Sequence, residues 1–141
     1  MLLGGSDAVA SAKRTICEMP AINYVNLTGK TTLNEAAAVI SRCDFYIGAD
    51  TGLMHMASAF GKPIIELSVS LPDSPATYGS SPTRTGAYCV PSIVLCPPRG
   101  IDGCTWVCRK KYAHCINLID TADVCKAIEY FIKRISQKGD L

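Results

Sequence analysis

Phe45-Tyr-Ile-Gly-Ala-Asp-Thr-Gly-Leu-Met-His-Met-Ala-Ser-Ala-Phe60 decides how this chain folds. It reads as a short buried strand, a tight turn holding Asp50, Thr51 and Gly52, and a helix that starts at once. Such a junction points backbone N–H groups outward at the carboxyl end of a strand, a geometry that suits an anionic ligand, phosphate above all. Gly52 has no Cβ and lets the backbone approach that ligand closely. Leu53, Met56, Ala57 and Phe60 fall at i, i+3, i+4 and i+7, one apolar helical stripe. Asp50 or Thr51 can cap the helix start. Gly61 is placed to end the helix and Pro63 to prevent its continuation. Ile64–Leu67 follows as the next buried strand. His55 lies one turn in from the cap, at the end that would face a ligand.

The flanking sequence repeats the same alternation. Leu2-Leu3 before Gly4-Gly5 looks like a strand entering a turn. Asp7 can cap a helix with Val9, Ala12, Ile16 and Met19 on its inner side. Residues 22–27 are rich in β-formers. Thr32-Leu-Asn-Glu35 is a capping box, and Leu33, Ala36, Ala37 and Ile40 form the stripe behind it. Strands alternating with helices over short connections imply a parallel sheet with helices on its faces. Ligands of such sheets bind beyond the carboxyl ends of the strands. Residues 1–67 thus read as βα repeats. Residues 68–98 read as a long surface loop with a short strand at Ser92–Leu95, residues 99–119 as a cysteine-rich segment, and residues 120–136 as a closing helix. That helix is capped by Asp120 or Thr121 and carries Val124, Ile128, Phe131, Ile132 and Ile135 on its apolar face. The expectation is a single domain over residues 1–141.

With 48% hydrophobic and 18% charged residues, the 141-residue chain has the composition of a folded domain with a real core. A net charge of +2 is too small to suggest a nucleic-acid partner. The N-terminus as given shows no basic segment followed by a long apolar one, so a cytoplasmic protein with reduced thiols is expected. The basic outer face of the last helix adds at most a weak attraction to an anionic membrane surface, since no amphipathic anchor accompanies it. Of the eight cysteines, Cys17, Cys43 and Cys125 lie in helical patterns and read as small core residues. Cys89, Cys96, Cys104, Cys108 and Cys115 crowd into the C-terminal half. Cys96, Cys104, Cys108 and Cys115 offer the four thiols a structural zinc would want, but the outer spacings are wider than usual pairs. The preferred reading is therefore thiols that pin a loop-rich tail, with no metal and no cofactor assigned.

Three stretches resemble glycosyltransferase family 9, the bacterial lipopolysaccharide heptosyltransferases. Leu27-Thr-Gly-Lys-Thr-Thr-Leu33 with Glu35-Ala-Ala is similar to the family's Gly-Lys-x-Ser/Thr-Leu turn and helix. Cys43 to Pro63 resembles the family signature along its whole length. Cys96 to Cys115, with the residues up to Ile128, resembles the cysteine-bearing tail of many members. The resemblance covers roughly Leu3 to Ile135. It departs after Leu67, where Ser68-Val69 replaces an aromatic-Gly pair, and after Cys96, where Pro97, Pro98 and Arg99 replace a second cysteine.

The resemblance implies a Rossmann-like parallel sheet, the C-terminal half of a glycosyltransferase B-type fold. It implies binding of a nucleotide-sugar such as ADP-heptose, in inverting transfer to the growing lipopolysaccharide core. Carried over, the Thr51, Gly52 and Leu53 backbone would hold the diphosphate and Asp50 the sugar hydroxyls. His55 would stabilise the departing nucleoside diphosphate, and Thr31 would line the nucleotide pocket. No catalytic base is among these residues. The family's acceptor-binding domain, and the first strand of its donor domain, would lie outside this sequence. The Leu2 and Phe45 strands would then be separated by a gap or would pair directly, and the chain alone would be inactive. The alternative to an enzyme part is a non-catalytic binding module or a zinc-stabilised structural domain.

Overall fold

The computed structural model of the chain describes residues 1–18, 23–106, 110 and 114–138. The chain divides into two compact units, Met1–Val39 and Ile40–Leu141.

In the first unit, Leu2 and Asn26 form a parallel bridge. The Leu2 N–H donates to the Val25 carbonyl at 2.8 Å, and the Leu27 N–H to the Leu2 carbonyl at 2.9 Å. Between the two segments a 3-10 turn, Ser6–Ala8, runs directly into helix α1, Val9–Glu18. The two strands expected from sequence are thus realised as one short pairing, and Ile22 and Met19 lie outside the described residues. Asp7 does not cap α1: it sits inside the 3-10 turn, which begins after Gly5 without a side-chain cap. Helix α2, Leu33–Ser41, opens on the expected capping box. The Thr32 N–H donates to Glu35 Oε2 at 2.7 Å, and the Glu35 N–H to Thr32 Oγ1 at 3.3 Å. Ala36 and Ile40 are buried, whereas Leu33, in the first turn, is 67% exposed.

The second unit is built on strands β1 (Tyr46–Gly48), β2 (Ile64–Leu67) and β3 (Ser92–Leu95). They form a parallel sheet in the order β1-β2-β3. Gly48 pairs with Glu66, and Glu66 with Val94, so the carboxyl ends of the three strands are in step. Helix α3, Gly52–Ala59, connects β1 to β2 and packs on both. Its buried face is Met54 and Ala57, both 0% exposed. Phe60, expected on the apolar stripe, is 45% exposed, because it is the C-cap and its backbone has already left helical geometry. Gly61 follows at φ +69°, and its N–H bonds the Ser58 carbonyl, which closes the helix as the sequence predicts.

Helix α5, Thr121–Lys138, lies on one face of the sheet. Phe131 (2% exposed) and Ala127 (5%) pack with Ile65 to form the core, joined by Phe45, Leu67, Ile93, Leu95, Ile128 and Ile135. Ile132 is 49% exposed, about 100° around the helix from Phe131 and therefore off this face. Of the cysteines read as core residues, Cys17 and Cys125 are exposed and Cys43 is half-buried. Truncating Phe131 at the centre of this core should cost roughly 3–5 kcal/mol.

The stretch expected to be an irregular surface loop is internally organised. It contains the short helix α4, Pro82–Thr85, and four serines that are nearly inaccessible: Ser68, Ser70, Ser74 and Ser81. Ser68 Oγ accepts the Ser70 N–H at 3.1 Å, and the other three hydroxyls satisfy loop carbonyls. Ser70 Oγ donates to Ser80 O at 2.7 Å, Ser81 Oγ to Ser74 O at 3.0 Å, and Ser74 Oγ to Leu71 O. Serine hydroxyls do here what a sheet ladder does elsewhere, satisfying buried backbone groups without a regular element. Among the described residues, no helix is long and apolar enough to cross a membrane.

Candidate functional site

β1 ends at Gly48, and within a few residues the chain turns through Asp50 into α3. Thr51 occupies the N-cap in extended geometry (φ −144°, ψ 168°), yet its side chain makes no cap hydrogen bond. Its hydroxyl instead lies 3.4 Å from the Tyr46 hydroxyl. The Met54 and His55 N–H groups bond the Thr51 carbonyl at 3.0 and 3.2 Å. The Gly52 and Leu53 amides precede this first internal bond, and no side chain caps them. A Cβ at Gly52 would meet nothing within 4 Å, so the approach to these amides is open. The start of α3 is a cluster of N–H donors at the positive end of a helix dipole.

Asp50 is not a helix cap, contrary to one expectation. Its Oδ1 lies 3.2 Å from His55 Nε2, and its Oδ2 accepts the Thr85 hydroxyl at 2.5 Å. His55 is an exposed side chain (51%), while Asp50 retains 26% exposure. Asp50 therefore orients the imidazole beside the open amides. Each of its carboxylate oxygens still has a lone-pair site for a further donor. Thr85, on α4, comes from the loop-rich segment and was missed in the sequence. So was Glu66 on β2.

Glu66 is 1% exposed, and its Oε2 has no hydrogen-bond partner. Burial pushes its carboxyl above the usual range, and the neighbouring Asp50 charge pushes in the same direction. The Ala87 N–H and the His55 side chain oppose the shift. One signal was available: Glu66 is the lone charge in an otherwise apolar strand, Ile64-Ile-Glu-Leu67. Period-two alternation puts Glu66 on the sheet face opposite Ile65 and Leu67. At the end of β3, burial also raises the Cys96 thiol, and Ser68 hydrogen-bonds it. Tyr46 is likewise raised by burial, with the Thr51 contact opposing.

The sequence-predicted site residues separate by unit. Asp50, Thr51, Gly52, Leu53 and His55 come together at one strand–helix junction of the second unit. Thr31 belongs to the first unit, half-buried on the turn before α2.

Farther along, Cys104 Sγ and Cys115 Sγ lie 3.9 and 3.8 Å from His114 Nε2. These three are the cluster with metal-ligand chemistry among the described residues. Cys96 is not part of it, and Cys108 lies outside the described residues.

The model of glycosyltransferase family 9 (heptosyltransferase) matches residues 1–95, from the chain start to the end of β3. A lipooligosaccharide heptosyltransferase 2 of Haemophilus influenzae is 51% identical over 43 residues, 30% of this chain and 12% of that protein. The lipopolysaccharide heptosyltransferase 2 of Escherichia coli is 41% identical over 42 residues, 30% of this chain and 12% of that one. A solved family 9 glycosyl transferase from Veillonella parvula superposes with a TM-score of 0.73 and 24% identity, over 94% of this chain. The chain spans about a third of that structure (36%), and its matched segment a much smaller share of the curated relatives. The family model covers about two thirds of the sequence, and the chain therefore belongs to glycosyltransferase family 9, the heptosyltransferase family.

Proposed function

We propose that this chain is the nucleotide-sugar donor-binding part of an inverting glycosyltransferase of lipopolysaccharide core synthesis, with an ADP-heptose-like donor. The observation that carries the reading is the uncapped start of α3 beside the Asp50–His55 pair. The Gly52 and Leu53 amides would donate to the diphosphate. Hydrogen bonds to a charged acceptor are worth about 1.5–3 kcal/mol each. The helix dipole alone adds roughly 0.3–1 kcal/mol at an exposed site. The discrete amides would therefore dominate affinity.

During transfer, negative charge builds on the leaving nucleoside diphosphate. His55, held through Nε2 by Asp50, would stabilise that charge. Asp50 would also accept a sugar hydroxyl through its remaining lone pairs. The base that activates the acceptor hydroxyl is none of these residues, and we assign it to an acceptor-binding domain of the family's two-domain fold. The lipopolysaccharide acceptor would reach the site through that domain. A cytoplasmic location, peripheral at the inner membrane, fits such an acceptor.

Calorimetric titration with ADP and ADP-heptose tests the reading. Binding that Asp50→Ala and Gly52→Val each weaken at least tenfold supports it. No heat with either ligand, in protein shown to be folded, overturns it. Residues 1–141 assayed by themselves are expected to bind the donor but to transfer no sugar.

A further inference from the structure

We infer that Cys104, His114 and Cys115 form a zinc site that fastens the connection between β3 and α5. The inference stands apart from the donor reading, because the cluster follows the residues matched by the family model.

Three ligand atoms of zinc-binding type converge, all within 4.8 Å of one another. Zinc binds thiolate sulfur at about 2.3 Å and imidazole nitrogen at about 2.0–2.1 Å, so a tetrahedral centre separates its S and N ligands by roughly 3.5 Å. The observed separations of 3.9 and 3.8 Å are within a few tenths of an ångström of that requirement. Rotation about side-chain torsions closes such a difference without moving the backbone.

The local chain is shaped for this convergence. The Cys104 N–H bonds the Ile101 carbonyl at 3.0 Å across Asp102 and Gly103. Both central residues have positive φ, 53° and 73°, the conformation that Asp-Gly adopts most readily in a tight turn. Gly100 lies so close to the Cys104 backbone that a Cβ there would sit 1.9 Å from the Cys104 carbonyl oxygen. Only glycine fits. The same turn aims the Ile101 N–H at Cys115 Sγ, at 3.3 Å. A backbone amide donating to a ligand sulfur is the kind of outer contact that orients it toward a metal. His114 and Cys115 are contributed by the start of a 3-10 turn, Cys115–Leu118, that leads into α5.

Burial argues in the same direction. Cys104 and Cys115 are 8% and 6% exposed. Two thiolates, a neutral imidazole and Zn(II) sum to zero charge, so the assembled centre can be buried where either thiolate alone could not. Binding replaces the two thiol protons, which leave to solvent. The trio fills three of the four tetrahedral positions. His114 replaces Cys96 in the set that cysteine spacing suggested, since the Cys96 thiol is engaged with Ser68 beside Glu66. The consequence is structural. The connection from β3 to α5 is long, and a metal clip within it offsets its closure entropy.

The test uses the full chain, purified reduced and without chelator. Elemental analysis should find about one zinc per chain, the stoichiometry of a single tetrahedral site. Co(II) titrated into the apo chain should give thiolate-to-metal charge-transfer bands and the visible bands of a tetrahedral centre. Cys104→Ser, Cys115→Ser and His114→Ala should each hold zinc at least tenfold more weakly against a competing chelator. His114→Cys should retain it, which separates a lost ligand from a lost fold. Cys89→Ser, at an exposed thiol, should change nothing. Substoichiometric zinc with no Co(II)–thiolate band, or zinc kept by the Cys104→Ser/Cys115→Ser double variant, overturns the inference. So does a Cys104–Cys115 disulfide that persists under reducing purification. ADP titration should be indifferent to all these variants, so the two readings fail separately.

Discussion

α2 and α3 each begin after a threonine, Thr32 and Thr51, and their amino ends have opposite fates. At α2, the third helical residue is Glu35, whose carboxylate accepts the Thr32 N–H and hydroxyl at 2.7 and 2.8 Å. The end is closed by its own side chains. At α3, the same position is Met54, which is fully buried and offers no acceptor. Thr51 turns its hydroxyl to Tyr46 instead of to the helix. The Gly52 and Leu53 amides are left to whatever ligand arrives. The contrast teaches that one residue, three positions after the N-cap, decides whether a helix start is structure or site.

The carboxylates beside the two ends diverge as well. Hydrogen bonds from the Thr32 backbone and then its hydroxyl hold Glu35 below the usual carboxylate range. Burial holds Glu66 above it. Their contributions to stability therefore run in opposite directions with pH. Glu35 favours the folded state above its unfolded pKa and loses that contribution as pH falls through its folded value. Glu66 binds its proton more tightly when folded, so stability is lost as pH rises through its folded value.

The largest test of this contrast is Gly52→Val. A side chain there meets no protein atom within 4 Å, so the helix should persist by circular dichroism. ADP affinity should nevertheless fall tenfold or more, about 1.4 kcal/mol, in calorimetry. Unchanged affinity would mean that the open amides are not the anion site. Next comes Glu66→Gln, which removes a buried, incompletely paired charge. It should stabilise the chain by about 1–2 kcal/mol in denaturant melts at pH 8, with the gain vanishing well below the unfolded carboxylate pKa. Thr32→Ala, at the closed end, should cost about 1 kcal/mol at neutral pH. The same variant should lose only the smaller, hydroxyl share of the acid-side slope that Glu35 contributes, because the Thr32 N–H still donates to its carboxylate. The smallest effect is expected from Tyr46→Phe. It frees the Thr51 hydroxyl to cap α3 and compete with the ligand, lowering ADP affinity roughly two- to threefold, less than the ~1 kcal/mol of a full cap.

Much of this was legible from local pattern. The capping box at Thr32, the Gly61 terminator, and strands Ile64–Leu67 and Ser92–Leu95 follow from residue types a few positions apart, and all are found where expected. Faces were read less well. Phe60 and Ile132 fit helical periodicity yet are exposed, while Met54 and Ala127 are buried. Periodicity locates a stripe, but the sheet decides which edge of the stripe is covered. The segment after Leu67 was read as loop because serine and proline mark breaks. Its serines prove to be internal hydrogen-bonding groups, which composition does not reveal.

By itself the sequence determined the βα alternation, the two helix starts and the Asp50–His55 junction, because caps, turns and amphipathic stripes act between residues at most a few positions apart. Only the tertiary structure decided that Thr85 reaches Asp50 from 35 residues away. It likewise stranded one oxygen of Glu66 inside and brought His114 to Cys104 and Cys115. Those meetings depend on how strands pair and loops close, and such distances are fixed by the packed chain as a whole.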